Sequence, residues 1–570
     1  VILTPDDQLP FFAGTYFPRR ALRGLPAFPD VLARVADAYR EQYETIREQN
    51  QQVAAALARS NEAPGAPGST PDTTPLEQAR SHLAEVFDPY HGGFGSAPKF
   101  PQPTLIQYLL EDYAGAPAQR RSSLHMACTT LRRMALGGIN DQVGGGFARY
   151  ATDNEWMIPH FEKMLSDNAL LMALYADAWQ ATGDPLFART ATETADWAVT
   201  EMRAPEGGFY SALDADSEGE EGRFYLWTPD AVQALLTETE YTAVSARFGL
   251  DEPANFQGRW HFHVQASISE LAKSLRTPAA TVRERLDSAR GKLYEARWQR
   301  TWPLRDDKIL TSWNALMIRG LARTGRLLDR PDLVVAAEQA LAFIRQAVWT
   351  GERLLASWRD GHAELPAYLD DHAFLLEAVL ELQQCRWDAD RAAFATTLAE
   401  CLLEGFRDAD SGGFLFTAHD HEQLPTRSRP LADDALPSGN GVAARALITL
   451  GHLLAEPRYR EAGEAAVSSA APALGQLPHA HATLLSALAR VVTPPQVVTL
   501  SGDPDACRFW QQDLERYYRP DRLTIIEPGA SNQRVTARLC HGSHCLQPVN
   551  SREALWQQIG TPRAAPSGVG

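Results

Sequence analysis

The residues of this chain best able to do chemistry begin at Trp156-Met157-Ile158-Pro159-His160-Phe161-Glu162-Lys163 and run on to Asn168. An imidazole, a carboxylate and an amine stand close together there, beside an indole, at the start of a strongly apolar stretch. Pro159 suits a first helical residue, because its fixed φ fits a helix and its missing N–H would be unpaired there anyway. The spacing predicts a helix from Pro159, with Met164, Asn168, Leu171, Tyr175 and Ala178 on one stripe and Leu165, Ala169, Met172 and Ala176 on a second. A helix apolar on most of its surface is a buried one. His160 is then a candidate general base at the mouth of a core helix. Glu162, two residues on, should point elsewhere and pair with an Arg, a Lys or backbone N–H groups. On this reading His160→Ala removes ligand response and Glu162→Ala removes stability.

Further polar corners lie along the chain. Asp214 and Asp216 open the acidic loop Asp214 to Glu221 and form a candidate carboxylate pair, backed by Trp227. The loop starts like a calcium site but has Tyr225 where the bidentate Glu belongs, so no metal is expected. Asp306 and Lys308 precede a helix bearing Trp313 and Asn314. Tyr368-Leu369-Asp370-Asp371-His372 heads another, and Asp433 to Asn440, with Ser438, a third. Each corner also reads as a helix cap. If inner helices start on one rim, such corners converge on a cavity. Trp156, Trp227, Trp260, Trp313, Trp358 and Tyr368 lie near carboxylates, and no Gly-rich phosphate loop is present, which favours a sugar-like ligand. Cys540-His541-Gly542-Ser543-His544-Cys545 reads first as an ordinary hairpin, with a metal clip or a disulfide as alternatives.

The elements that must position these groups are mostly helices. Residues 1–20 read as a hairpin, followed by one long helix from about Pro29 to Ser60 and a linker over 61–75. Apolar-periodic runs then fall near 76–87, 102–114, 122–137, 160–182, 185–202, 278–296, 310–328, 332–348, 370–386, 388–406, 437–455, 457–473 and 478–490. Between them Gly-Gly-Phe recurs at Gly92, Gly145, Gly207 and Gly412. This pattern predicts a mainly α fold, an (α/α)6 toroid over 76–492. Residues 493–570 read as a small α/β appendage with a disordered tail. The helices beginning near His160, Thr311, Asp371 and Ser438 are expected to open onto one space.

Composition bounds the function. At 570 residues with 44% hydrophobic and 22% charged content, this is ordinary globular material. A net charge of −17 disfavours nucleic acid and anionic membrane surfaces. Six cysteines are few for the length and fit a reducing, cytoplasmic compartment. The chain opens at Val1, within a strand, and so reads as a fragment whose targeting segment is open.

Longer phrases carry a resemblance: Leu3 to Asp6 with Phe11 to Pro18, Gly92 to Pro101 (which contains Phe94 and Lys99), Gly144 to Tyr150, His160 to Asn168, Leu213 to Gly219, Asp306 to Asn314, Tyr368 to Phe374, and Pro437 to Asn440. With these the chain resembles the thioredoxin-domain family of spermatogenesis-associated protein 20 and its bacterial YyaL-type relatives. The resemblance implies a six-hairpin toroid similar to N-acylglucosamine 2-epimerases. Residues 1–60 would be the C-terminal remnant of a thioredoxin-like domain whose Cys motif is missing. It departs from the family at Ala315, where Gly is usual, and at His372, where Tyr is common.

The resulting expectation is a toroid acting on a small sugar or sugar derivative without cofactor or metal. His160, Asp214, Asp216, Asp370 and Asp371 are the catalytic candidates. Phe94, Lys99, Trp156, Glu162, Trp227, Asp306, Lys308, Trp313, Asn314, Ser438 and Asn440 are the substrate-binding candidates. An epimerase or isomerase would use His160 as base. A glycosidase would set two carboxyl groups about 5–5.5 Å or about 6.5–9.5 Å apart. A non-catalytic sugar-binding scaffold and a thioredoxin-like redox protein are the alternatives. Oligomeric state is left open.

Overall fold

The computed structural model describes residues 1–560 apart from Arg23, 62–71, Gln423, Pro425 and Ser543. The expected linker over 61–75 therefore lies largely outside the described residues, and the expected tail beyond 560 lies wholly outside them.

Twelve helices build the body: α1 (Thr74–Val86), α2 (Pro103–Gly115), α3 (Arg121–Leu136), α4 (Leu165–Thr182), α5 (Pro185–Trp197), α6 (Thr311–Leu327), α7 (Pro331–Phe343), α8 (Leu369–Cys385), α9 (Ala389–Cys401), α10 (Gly439–Leu454), α11 (Pro457–Ser469) and α12 (Ala482–Val492). The even-numbered helices pack side by side in the order α2-α4-α6-α8-α10-α12 and close back onto α2. The odd-numbered helices lie outside them, so the body is the expected (α/α)6 toroid. Sequence explains the division: in α4 every residue from Leu165 to Ala178 except Asp167 is buried, whereas the outer helices bury one face.

Three segments differ from the expected pattern. Helix α4 begins at Leu165 rather than Pro159, because Pro159–His160 pairs antiparallel with Tyr150–Ala151 and Lys163–Met164 pairs with Ala212–Leu213. Tertiary strand pairing overrides the helical spacing there. The run near 278–296 is a helix, Ala279–Trp298, but it belongs to an insertion between α5 and α6. Together with Pro229–Leu235, Glu238–Phe248 and Ile268–Ser274 it packs around Trp227, Val232, Val244, Phe262 and Leu293. The N-terminal helix is broken into Phe28–Glu41 and Tyr43–Asn61, beside the small hairpin of Ile2–Leu3 with Pro10–Phe12.

The Gly-Gly-Phe phrase has a physical meaning. Each copy follows an outer helix and turns the chain back toward the ring. In three copies an inner-helix asparagine clasps the Phe backbone. Asn168 Oδ1 accepts from Phe147 N, and its Nδ2 donates to Phe147 O and Met164 O. Asn314 does the same with Phe209 and Leu310 O, and Asn440 with Phe414 and Pro430 O. Glycine is required at Gly145, whose φ is +79° and where a Cβ would stand 2.4 Å from Glu193 O.

The appendage is a four-stranded sheet. Strands β1 (Gln496–Ser501), β2 (Arg522–Ile526), β3 (Thr536–His541) and β4 (His544–Cys545) lie in the order β2-β1-β3-β4, with β1 and β2 parallel. Cys540 and Cys545 face each other across β3 and β4 and are joined as a disulfide, the alternative ranked behind an ordinary hairpin at the sequence level. The appendage lies across the C-terminal end of the ring. Arg326 of α6 pairs with Glu515, and Gln511 Nε2 donates to Gln384 O of α8. No described helix is long and apolar enough to cross a membrane.

Candidate functional site

The mouth of the ring, where the inner helices begin, holds one carboxyl group of unusual character. Asp370 and Asp371 are the second and third residues of α8. Asp371 is committed to structure. Its Oδ1 accepts from Ser312 N in the first turn of α6, and its Oδ2 from Tyr368 N, so it stitches two neighbouring helix starts together. Asp370 is different: its Oδ1 is buried and accepts no hydrogen bond among the described residues. It lies seven residues before Glu377 and eleven before Glu381, hence on the same helical face. Both glutamates meet arginines of other inner helices, so Asp370 looks toward the ring axis at its N-terminal end. Burial first, then the charge of Asp371, pushes Asp370 up to about 7. Burial also pushes Asp371 up to about 6, against the N–H groups that hold it down.

The neighbouring helix start makes room for this carboxyl. A Cβ at Gly439, the first residue of α10, would stand 2.1 Å from Asp370 Oδ1. Gly439→Ala should therefore push the carboxyl toward water and lower its pKa. If Asp370 serves as a proton donor, the expected result is a downward move of the alkaline midpoint in a pH–activity profile, with a stability cost of about 1–3 kcal/mol. An unchanged midpoint would mean that Asp370 does not set it.

A second group of polar residues stands on the rim before α4. His160 Nδ1 lies 2.8 Å from Glu221 Oε1, and its Nε2 lies 3.9 Å from Glu162 Oε2. Glu162 pairs with Arg149 at 3.0 Å, which fulfils its expected Arg partnership. The two side chains nonetheless share a side, because this segment is extended and residues two apart project alike. Tyr150 stacks on His160 and Phe100 tilts over Tyr150, with ring centroids 5.1 and 4.8 Å apart. Nearby Asp167, in the first turn of α4, accepts no hydrogen bond among the described residues. Burial pushes it up to about 7, with Glu162 adding to the rise and Arg149 opposing it.

Because Glu162 is half-exposed in a surface pair, its expected large stabilising role does not fit this geometry. Glu162→Ala should cost less than about 1 kcal/mol, measured by urea unfolding.

Other candidates serve the fold. Asn314 and Asn440 spend their amides on the clasps described above. Lys99 is buried and bound to Asp88 Oδ2 at 2.8 Å and Asn154 O at 3.0 Å, and Phe94 is core. Trp156 is wholly buried and donates to His91 O rather than lining a mouth. Trp227 is core in the insertion, its face covered by Arg300 at 3.8 Å. Asp214 and Asp216 are exposed; Asp214 accepts from Asp216 N, and Trp227 does not back them. Asp306 and Lys308 form an exposed pair at 3.3 Å. Ser438 caps α10 through Gly441 N, and His372 is buried against Phe406. Trp313 and Tyr368 are half-buried at the first turns of α6 and α8, on the same rim as Asp370.

Sequence reasoning missed the contents of the ring. Arg319 and Arg445 meet Glu377, Arg323 meets Asp177 and Glu381, and Arg326 meets Glu381 and Glu515. They surround a cavity of about 70 Å³ at the end covered by the appendage. Each of these carboxylates has a guanidinium, unlike Asp370. The available signal was a set of charges at one-turn spacing inside otherwise apolar helices.

Taken together, these features define a six-hairpin α-toroid with an acid-bearing mouth, joined to a short N-terminal α/β segment. Residues 1–58 match the family described as Thioredox_DsbH, Protein of unknown function, DUF255. Spermatogenesis-associated protein 20 of Rattus norvegicus is 30% identical over 598 residues, spanning 98% of this chain and 76% of the rat protein. The Homo sapiens protein of that name is 30% identical over 608 residues, spanning 96% and 77%. The chain belongs to the spermatogenesis-associated protein 20 family. Among solved structures it is similar to a cellobiose 2-epimerase from Bacillus thermoamylovorans B4167, at 9% identity and TM-score 0.46 over 73% of this chain and 99% of that one. A D-mannose isomerase gives 10% identity and TM-score 0.45 over 75% and 99%. A family 76 glycoside hydrolase from a bovine Bacteroides thetaiotaomicron strain gives 10% and 0.43 over 74% and 78%.

Proposed function

We propose that the protein is an acid–base enzyme acting on a glycoside or related sugar at the mouth of the ring, with Asp370 as the proton-donating group. The observation that carries this reading is the half-buried Asp370, whose Oδ1 is buried without a hydrogen bond among the described residues and whose carboxyl is pushed up to about 7 by burial. A carboxylic acid that keeps its proton near neutrality is suited to protonating a leaving oxygen. Asp167, in the first turn of α4 beside Arg149 and Glu162, is the candidate for the second carboxyl of the reaction. Trp313, half-buried on the same rim, supplies an aromatic face against which the apolar face of a sugar ring can pack. Strong net negative charge disfavours phosphorylated substrates.

A second reading, sugar epimerisation or isomerisation, rests on the His160–Glu221 contact, in which a carboxylate orients an imidazole as a base. The two are separated by incubating the chain with a panel of glycosides and reducing disaccharides in deuterated water. Release of reducing ends that is lost in Asp370→Asn supports hydrolysis. Deuterium incorporation beside the carbonyl that is lost in His160→Ala supports the second reading. Neither product, with no thermal shift from any sugar, would overturn both.

A further inference from the structure

The appendage carries a chemical group that acid–base work at the mouth does not use. Its edge hairpin joins Cys540 and Cys545, five residues apart, as a disulfide. Cys545 is exposed and Cys540 half-buried. Along β3, Ala537 and Leu539 face the appendage core, so Arg538 and Cys540 face outward. Among the described residues β4 is the last strand of its sheet, which leaves one edge of its backbone unpaired beside Cys545. Such a short closed loop removes less entropy from the unfolded chain than a long one would. The other four cysteines are of the opposite kind. None is exposed, and burial pushes Cys128 and Cys385 up to about 12 and raises Cys401 and Cys507. An internal thiolate is therefore not at hand to open the bond, and exchange must come from outside.

We propose that Cys540–Cys545 is a reversible thiol–disulfide exchange site for a protein dithiol that docks along the open edge of β4. An extended partner segment can pair with that edge and bring its thiolate to the more exposed sulfur. The partner thiolate attacks Cys545 Sγ and forms a mixed disulfide. The Cys540–Cys545 bond breaks, and Cys540 leaves as a thiolate near the Arg538 cation. The partner's second thiol then attacks its own sulfur in the mixed bond and frees Cys545. Two electrons and two protons pass from the partner dithiol, which ends as a disulfide, to the cysteine pair.

The test uses the full chain, untreated or incubated with reduced thioredoxin as a protein-dithiol probe, or with reduced glutathione at equal thiol concentration. Native protein is then alkylated and its mass and labelled peptides measured. Thioredoxin is expected to expose two thiols, Cys540 and Cys545, and glutathione to do so much more slowly. A thioredoxin lacking its second cysteine should instead be held as a mixed disulfide at Cys545, because the thiol that would free Cys545 is then absent. Equal rates for the two reductants would overturn docking of a protein dithiol. Both cysteines being alkylated in the untreated chain, or alkylation only after denaturation, would overturn the exchange site itself.

Discussion

Replacing Asp370 with Asn should stabilise the fold at alkaline pH while abolishing turnover. The folded carboxyl is pushed up to about 7, whereas its ordinary value is 3.8. Between those values the folded chain holds a proton that the unfolded chain has released. Stability from this group is therefore full below the ordinary value, falls as pH rises, and is lost once pH passes about 7. Each pH unit in the window corresponds to about 1.4 kcal/mol, so the effect is on the order of a few kcal/mol. Asp167 and Asp371 are raised too and share the sign, so the parent should weaken through the same window for three reasons, of which the Asn variant removes one. Melting temperatures from about pH 4 to about pH 9 provide the check. The two curves should meet at the acid end, separate as pH rises from 3.8 to about 7, and keep that gap above it with the variant higher. Parallel curves would show that Asp370 is not the buried acid described here. A gain in stability paired with a loss of activity is the mark of a group kept for chemistry.

Asn440→Ala is expected to be among the most destabilising single changes in the toroid. It strips the partners from Phe414 N and Phe414 O, inside a core where water cannot replace them, and one of two donors from Pro430 O. At about 1–3 kcal/mol for each buried group left unpaired, and allowing for relaxation, the cost should reach about 3–5 kcal/mol. Asn168→Ala and Asn314→Ala should fall in the same range, because they break the same clasp elsewhere in the ring. Urea unfolding of the three variants beside the parent measures this. A cost below about 1 kcal/mol at all three would show that the Phe backbones find other partners.

The toroid was legible because buried inner helices and one-sided outer helices leave different apolar periodicities, which survive in a single sequence. Recurrence of Gly-Gly-Phe was legible too, but its partner was not. Nothing in the spacing tells that Asn314 and Asn440 bind backbone rather than ligand, since an amide at a helix start suits either. The extended start of 159–164 was hidden because Pro159 is equally at home in a strand and at a helix start, and strand pairing decided it. Of the adjacent acids Asp370 and Asp371, the sequence marked both. Only geometry separates the one that caps from the one left free, because that depends on Ser312 of the next helix. The Arg–Glu contents of the ring came from charges on different helices that no local pattern connects.

The appendage laid across the C-terminal end of the ring has a consequence for traffic. With Glu515 and Gln511 fastened to α6 and α8, the toroid is a cup and not a tube. A long polymer cannot thread through it, so only a chain end or a small molecule can present itself to Asp370. Whatever is released must depart by the doorway through which its precursor entered. Departing and arriving molecules would then compete for one opening, and on the acid–base reading proposed above accumulated product should slow turnover by simple obstruction.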